Sequence, residues 1–72
     1  MLYSQRYEKA REVLRQTRLE SGLTQAGLAE KLACGQSHVS KLERGERYID
    51  VLEFILWCEA CGVAPDKVIG EI

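Results

Sequence analysis

The 72-residue sequence predicts an all-α fold, a compact bundle of five short helices forming one domain over residues 1–72. Three observations carry that expectation. Apolar residues recur at the 3.6-residue period of a helix, and strand-like alternation is absent. Gly22, Gly35, Gly45 and Gly62 divide the chain at helix-length intervals, with Pro65 as the only proline. Hydrophobic residues make up 46% of the chain, enough to fill a core and too many for a disordered segment. A domain of this size buries only about 60% of its unfolded surface, so tight packing or a partner must hold it.

The first helix is expected from about Ser4 to Ser21. Tyr3, Tyr7, Ala10 and Leu14 make one apolar stripe, and Gly22 ends the helix as a C′ residue. The second begins at Thr24, whose hydroxyl can accept a hydrogen bond from an orphan N–H of the first turn. Leu23 before the cap and Leu28 after it can staple the entry, and Leu28, Ala29 and Leu32 face inward. The third is expected from about Gln36 to Arg44. Val39 and Leu42 are its only apolar residues, and Ser37, Ser40, Lys41 and Arg44 form a polar stripe on the other side. Gly45 stops it. The fourth opens with Asp50 and Glu53, a capping box, and carries Val51, Leu52, Phe54, Ile55, Leu56, Trp57, Cys58 and Cys61. Being apolar nearly all round, it should be central or shared with a partner. Pro65 starts a short fifth helix with Val68 and Ile69 packing back.

The second and third helices, joined by a turn at Ala33–Gly35, have the makings of a DNA-reading pair over about residues 24–44. Ala29 is small enough for close helix approach. Val39 and Leu42 can lock the third helix to the core, and its outer face is polar without being acidic. Any solvated helix has a polar stripe. The turn before this one, and Gln25 beside it, set it apart.

The run LTQAGLAEKL and then GQSHVSKLERGER resembles the phage repressor and Cro family, also called Xre-type regulators, whose fold is a lambda-repressor-like five-helix bundle. Thr24-Gln25, Leu28-Ala29, Gln36-Ser37, Val39-Ser40, Glu43, Gly45 and Gly62-Val63 fall at family spacing, and the likeness runs from about Leu14 to Ile69. It implies that Gln25 grips a phosphate beside the groove. Gln36 and Ser37 would meet bases and phosphates, and Lys41 would read a base one turn on. Arg18 and Glu43 would form a buried structural ion pair. A glutamine amide can pair with the N6/N7 edge of adenine and a lysine can donate to guanine, each good pair giving about 1–3 kcal/mol of discrimination. Ser40 shares the reading face, and Arg44, Arg47 and His38 are candidates for phosphate contact. Three positions depart from the family: Gly27 where many members carry Glu, Ala33 at the usual turn glycine, and Gly35 where Ser or Thr caps the third helix.

The net charge of −1 hides an asymmetry. Residues 1–49 hold nine of the ten Lys/Arg and six of the eleven Asp/Glu, so they carry +3; residues 50–72 carry −4. Such a molecule can present a basic face to phosphate. No run of 18 apolar residues could span a membrane, and the start MLYSQRYEKAR lacks a signal-peptide core. Three cysteines, an odd count, suit free thiols in a reducing cytoplasm. Cys58-Glu59-Ala60-Cys61 spells C-x-x-C, but inside an apolar helix cysteine behaves as a small hydrophobe; a zinc site would need Cys34 and His38 as well. No catalytic constellation stands out, so the expectation is a non-enzyme without cofactor or metal. Its partner is double-stranded DNA, read by a homodimer joined through the fourth and fifth helices on a palindromic operator, with repression as the output. Trp57 and Leu56 point in different directions, so one of them, with Phe54, Ile69 or Ile72, should form an exposed apolar patch. An antitoxin that binds a protein partner as well as DNA is the alternative.

Overall fold

The computed structural model describes residues 4–72. Five helices follow in order: α1 (Gln5–Glu20), α2 (Gln25–Lys31), α3 (Gln36–Glu43), α4 (Val51–Ala60) and α5 (Pro65–Ile69). The described residues contain no strand, in line with the expected class. Tyr3 of the proposed stripe lies outside the described residues.

Local chemistry starts three of the helices. The Ser4 hydroxyl accepts the Tyr7 N–H at 3.1 Å, Thr24 accepts the Gly27 N–H at 2.9 Å, and the Asp50 carboxylate accepts the Glu53 N–H at 2.7 Å. α5 starts on Pro65, whose missing N–H is no loss in a first turn. α3 starts on Gly35 with no side-chain cap.

Four helices end in the same way. After α1, α2, α3 and α4 the chain makes a pair of reversing bonds: Gly22 N–H to Leu19 O with Leu23 N–H to Arg18 O, Ala33 to Glu30 with Cys34 to Ala29, Gly45 to Leu42 with Glu46 to Lys41, and Gly62 to Glu59 with Val63 to Cys58. These are Schellman closures, and each requires a left-handed residue at C′. Glycine supplies it at Gly22 (φ +80°), Gly45 (+80°) and Gly62 (+75°); at the turn into α3 the residue is Ala33, φ +55°. The missing family glycine therefore falls where the backbone still takes the glycine conformation.

The core gathers one face from each helix. Leu14, Leu28, Val39, Leu42, Trp57 and Cys58 are enclosed, with Val13, Ala29, Phe54, Cys61 and Val68 around them. The Trp57 indole N–H donates to the Leu14 carbonyl at 3.1 Å, so its single polar atom is satisfied inside the core. Of the divergent neighbours on α4, Trp57 turns inward at 2% exposure and Leu56 outward at 44%. Phe54 is buried, Ile72 is half-buried against the core and Ile69 is exposed. The Cα radius of gyration, 11.0 Å, is what a compact chain of this length gives, about 11 Å.

Candidate nucleic-acid interface

α3 carries two surfaces. Val39 and Leu42 are buried at 0% and 1% exposure, which fixes the helix to the core. Gln36, Ser37, Lys41 and Arg44 are exposed on the opposite side, and Ser40 lies half-buried among them. At about 100° per residue these five cover an arc of roughly 140°, the width a helix presents to a groove. None is acidic. Lys41 and Arg44 put cationic side chains on the face that a nucleic acid would meet.

The helix is held at its last turn by Glu43. Arg18 of α1 donates from Nε to one carboxylate oxygen at 2.7 Å and from Nη2 to the other at 3.1 Å, with only 8% and 3% of the two side chains exposed. Its Nη1 donates to the Leu23 carbonyl at 2.9 Å. Gln25 of α2 adds a donation to the same carboxylate at 3.0 Å. A buried charge is costly unless paired and hydrogen-bonded, and here both charges are. The pairing joins α1, α2 and α3 at one residue. Gln25 therefore sits beside α3 with one amide hydrogen committed to Glu43.

Besides Gln25, the three other expected phosphate contacts have protein partners. Arg44 donates to Glu46 at 2.7 Å and to the Ser40 hydroxyl, so both ends of the exposed arginine are occupied. That bond holds the Glu46 carboxyl below its ordinary range. His38 and Arg47 do not point freely outward. His38 Nε2 lies 2.7 Å from one oxygen of Glu53 on α4, and Arg47 Nη2 donates to the other at 3.0 Å. Both side chains are half-buried, and Glu53 compensates them. Burial pushes the Glu53 carboxyl up, but hydrogen bonds from His38, Arg47 and the Asp50 N–H carry it below its usual value. The capping box at Asp50 and Glu53 thus also ties α4 to α3 and to the loop after it. Arg47 Nη1 is buried without a protein acceptor.

Sequence periodicity missed two residues. Tyr7 belongs to the α1 stripe, but its hydroxyl accepts the Ile49 N–H at 2.9 Å and donates to the Arg47 carbonyl at 3.5 Å. Arg11 donates to the Glu43 carbonyl at 3.3 Å. A tyrosine in an otherwise apolar stripe was the only available signal, since a buried hydroxyl usually finds a partner.

Cys58 and Cys61 are buried in the core, and burial pushes the Cys58 thiol up to about 11 and raises that of Cys61 as well. Cys34 is half-buried in the turn. Among the described residues no three His, Cys, Asp or Glu side chains converge as metal ligands. No helix of the described residues is long and apolar enough to cross a membrane.

A short helix packed under a second whose outer face is polar and cationic, with that second helix pinned at both flanks, defines a helix-turn-helix DNA-binding domain. The Helix-turn-helix family model matches residues 14–68. An XRE-family like protein from Pseudomonas syringae pv. tomato str. DC3000 superposes with a TM-score of 0.87 at 38% identity, over 92% of this chain and 80% of that one. The clp gene regulator ClgR from Corynebacterium glutamicum superposes with a TM-score of 0.81 at 30% identity, over 89% of this chain and 68% of that one. No curated protein matches the sequence. The chain belongs to the Xre family of helix-turn-helix proteins, a family of DNA-binding transcriptional regulators rather than an enzyme class.

Proposed function

We propose that the protein is a sequence-specific repressor that reads a palindromic operator as a homodimer. Gln36, Ser37, Ser40 and Lys41 face base edges, while Gln25, Arg44, Arg47 and His38 serve the phosphates. The observation that carries this reading is the split on α3, with an apolar side locked at Val39 and Leu42 and a polar side left open at Gln36, Ser37 and Lys41. Arg44 reaches phosphate by exchanging Glu46 for it, a swap of one exposed anion for another, and Arg47 and His38 do so by releasing Glu53.

One module makes few contacts, and pairing two across a turn of DNA places the recognition helices about 34 Å apart. α4 supports the pairing: Val51, Leu52 and Leu56 stand 77%, 63% and 44% exposed beside half-buried Ile55. An apolar strip of this kind is expensive to leave in water. The same strip would also seat a foreign protein, as the antitoxin reading requires. A monomer by light scattering at high micromolar concentration, with and without operator, would sink the homodimer.

Selection of bound duplexes from random DNA tests the recognition assignment. Gln36→Ala and Lys41→Ala are expected to change the selected sequence. Arg47→Ala is expected to weaken all duplexes alike. If Gln36→Ala and Lys41→Ala select the same sites as the parent, α3 does not read bases through these residues.

A further inference from the structure

The first two turns of α1 precede the family match, which begins at residue 14. Their inward polar groups reach a single distant segment, residues 43–49, where the chain leaves the recognition helix. The Tyr7 hydroxyl bonds both the Ile49 N–H (2.9 Å) and the Arg47 carbonyl (3.5 Å), and its ring stands edge to face with Tyr48, centroids 5.2 Å apart. One turn on, Arg11 donates to the Glu43 carbonyl at 3.3 Å. The Arg11 guanidinium also lies over Gly45, so close that a Cβ there would stand 2.7 Å from its Cζ. Arg11 thus places a cation at the C-terminal end of α3, where the free carbonyls and the helix dipole favour one.

We propose that Tyr7 and Arg11 are positioning residues for DNA binding, a brace from α1 that holds the loop after α3 in the conformation from which Arg44 and Arg47 reach phosphate by exchanging Glu46 and Glu53 for it. The inference rests on the DNA-binding reading above and adds to it a segment outside the family motif. The physical basis is preorganisation. Residues 44–50 contain no regular helix, and an unheld loop must be ordered when it meets the duplex, at a cost in affinity. Here the ordering is done in advance. Tyr7 bonds the backbone on both sides of Tyr48, next to Arg47, and Arg11 secures the preceding helix end.

Tyr7→Phe tests the brace, because it removes the hydroxyl and no charge. Operator affinity is measured as a function of salt, at a temperature where thermal melting shows both proteins fully folded. The expected result is about tenfold weaker binding, from lost hydrogen bonds of ordinary strength. The slope of log K against log salt should become shallower by about 0.9 for each phosphate contact the loosened loop gives up. A hydroxyl that only stabilised the fold would leave that slope unchanged. Combining Tyr7→Phe with Arg47→Gln should cost less than the two separate effects together, since one works through the other. Faster hydrogen exchange at the Ile49 amide of the free protein should accompany these changes. An unchanged slope for Tyr7→Phe, whatever the affinity, or strict additivity with Arg47→Gln, overturns the brace while leaving DNA binding intact. A parent protein that binds no duplex overturns the DNA reading and the brace with it.

Discussion

Ala33→Gly should stabilise the domain. Ala33 is a C′ residue with φ +55°, in a closure that the chain elsewhere completes with glycine. A side chain in the left-handed region costs about 1–2 kcal/mol. Glycine relieves that cost but gives the unfolded chain more freedom, an offset of about 0.4–1 kcal/mol. Ala33 is exposed, so losing its methyl group forfeits little packing. The net gain is about 0.5–1 kcal/mol. Unfolding entropy of about 2.1 cal/mol/K per residue gives roughly 0.15 kcal/mol/K for 72 residues, so Tm should rise by roughly 3–7 °C. Thermal unfolding followed by circular dichroism measures it. Gly62→Ala is the mirror control: φ is +75° and no atom lies within 4 Å of the added Cβ, so conformation alone should lower stability by about 1 kcal/mol. An Ala33→Gly protein that melts at or below the parent temperature, while Gly62→Ala is destabilised as expected, would refute the strain argument.

Other perturbations reach other parts of the structure. Glu43→Ala leaves the buried Arg18 without its carboxylate and should cost about 3–5 kcal/mol, a large share of the roughly 4–11 kcal/mol expected for a chain this long; the far-UV signal should show a largely unfolded protein well below the parent Tm, and a well-folded variant would remove Glu43 from the centre of the packing. Because the Glu53 carboxyl is held below its ordinary 4.5, the unfolded chain takes up the proton first as pH falls. Its contribution is present at neutral pH and is lost on acidification below about 4.5, so urea unfolding of Glu53→Gln should lose less stability between pH 7 and 4 than the parent. In the native protein a thiol reagent at pH 8 should modify Cys34 readily and leave Cys58 and Cys61 until urea is added; simultaneous reaction of all three would contradict the enclosed positions of the latter two.

The fold was legible because helical periodicity is a local property. Val39 and Leu42 against Gln36, Ser37 and Lys41 orient α3 before any other element is considered. Three of the helix ends were marked by glycines that take the left-handed conformation, and Ala33 stood out as the oddity that the backbone confirms. Tyr7 was different. Periodicity registers its ring and not its hydroxyl, and the hydroxyl's partners lie 40 and 42 residues away. Glu53 showed the same limit: the D-x-x-E spacing identified a cap, while the carboxylate's ties to His38 and Arg47 depend on how α4 crosses α3. The Leu56–Trp57 pair was half readable. Adjacent helical residues diverge by about 100°, so one had to face out, but only the position of α1, which offers the Leu14 carbonyl, selects Trp57 for the interior.

The convergence on Glu43 has a consequence for the duplex. Arg18 and Gln25 hold its carboxylate, Arg11 holds its carbonyl, and His38 is fastened to Glu53 on the far flank. The recognition helix cannot swivel in its seat without breaking several of these bonds together. A stiff reader transfers the work of fitting to what it reads. Where an operator departs from ideal shape, the bending and twisting must be done by the DNA, and their cost depends on base steps that no side chain touches. In the proposed homodimer, flexible pyrimidine–purine steps beneath the two-fold axis would then strengthen binding as surely as a better base under the proposed reader Lys41.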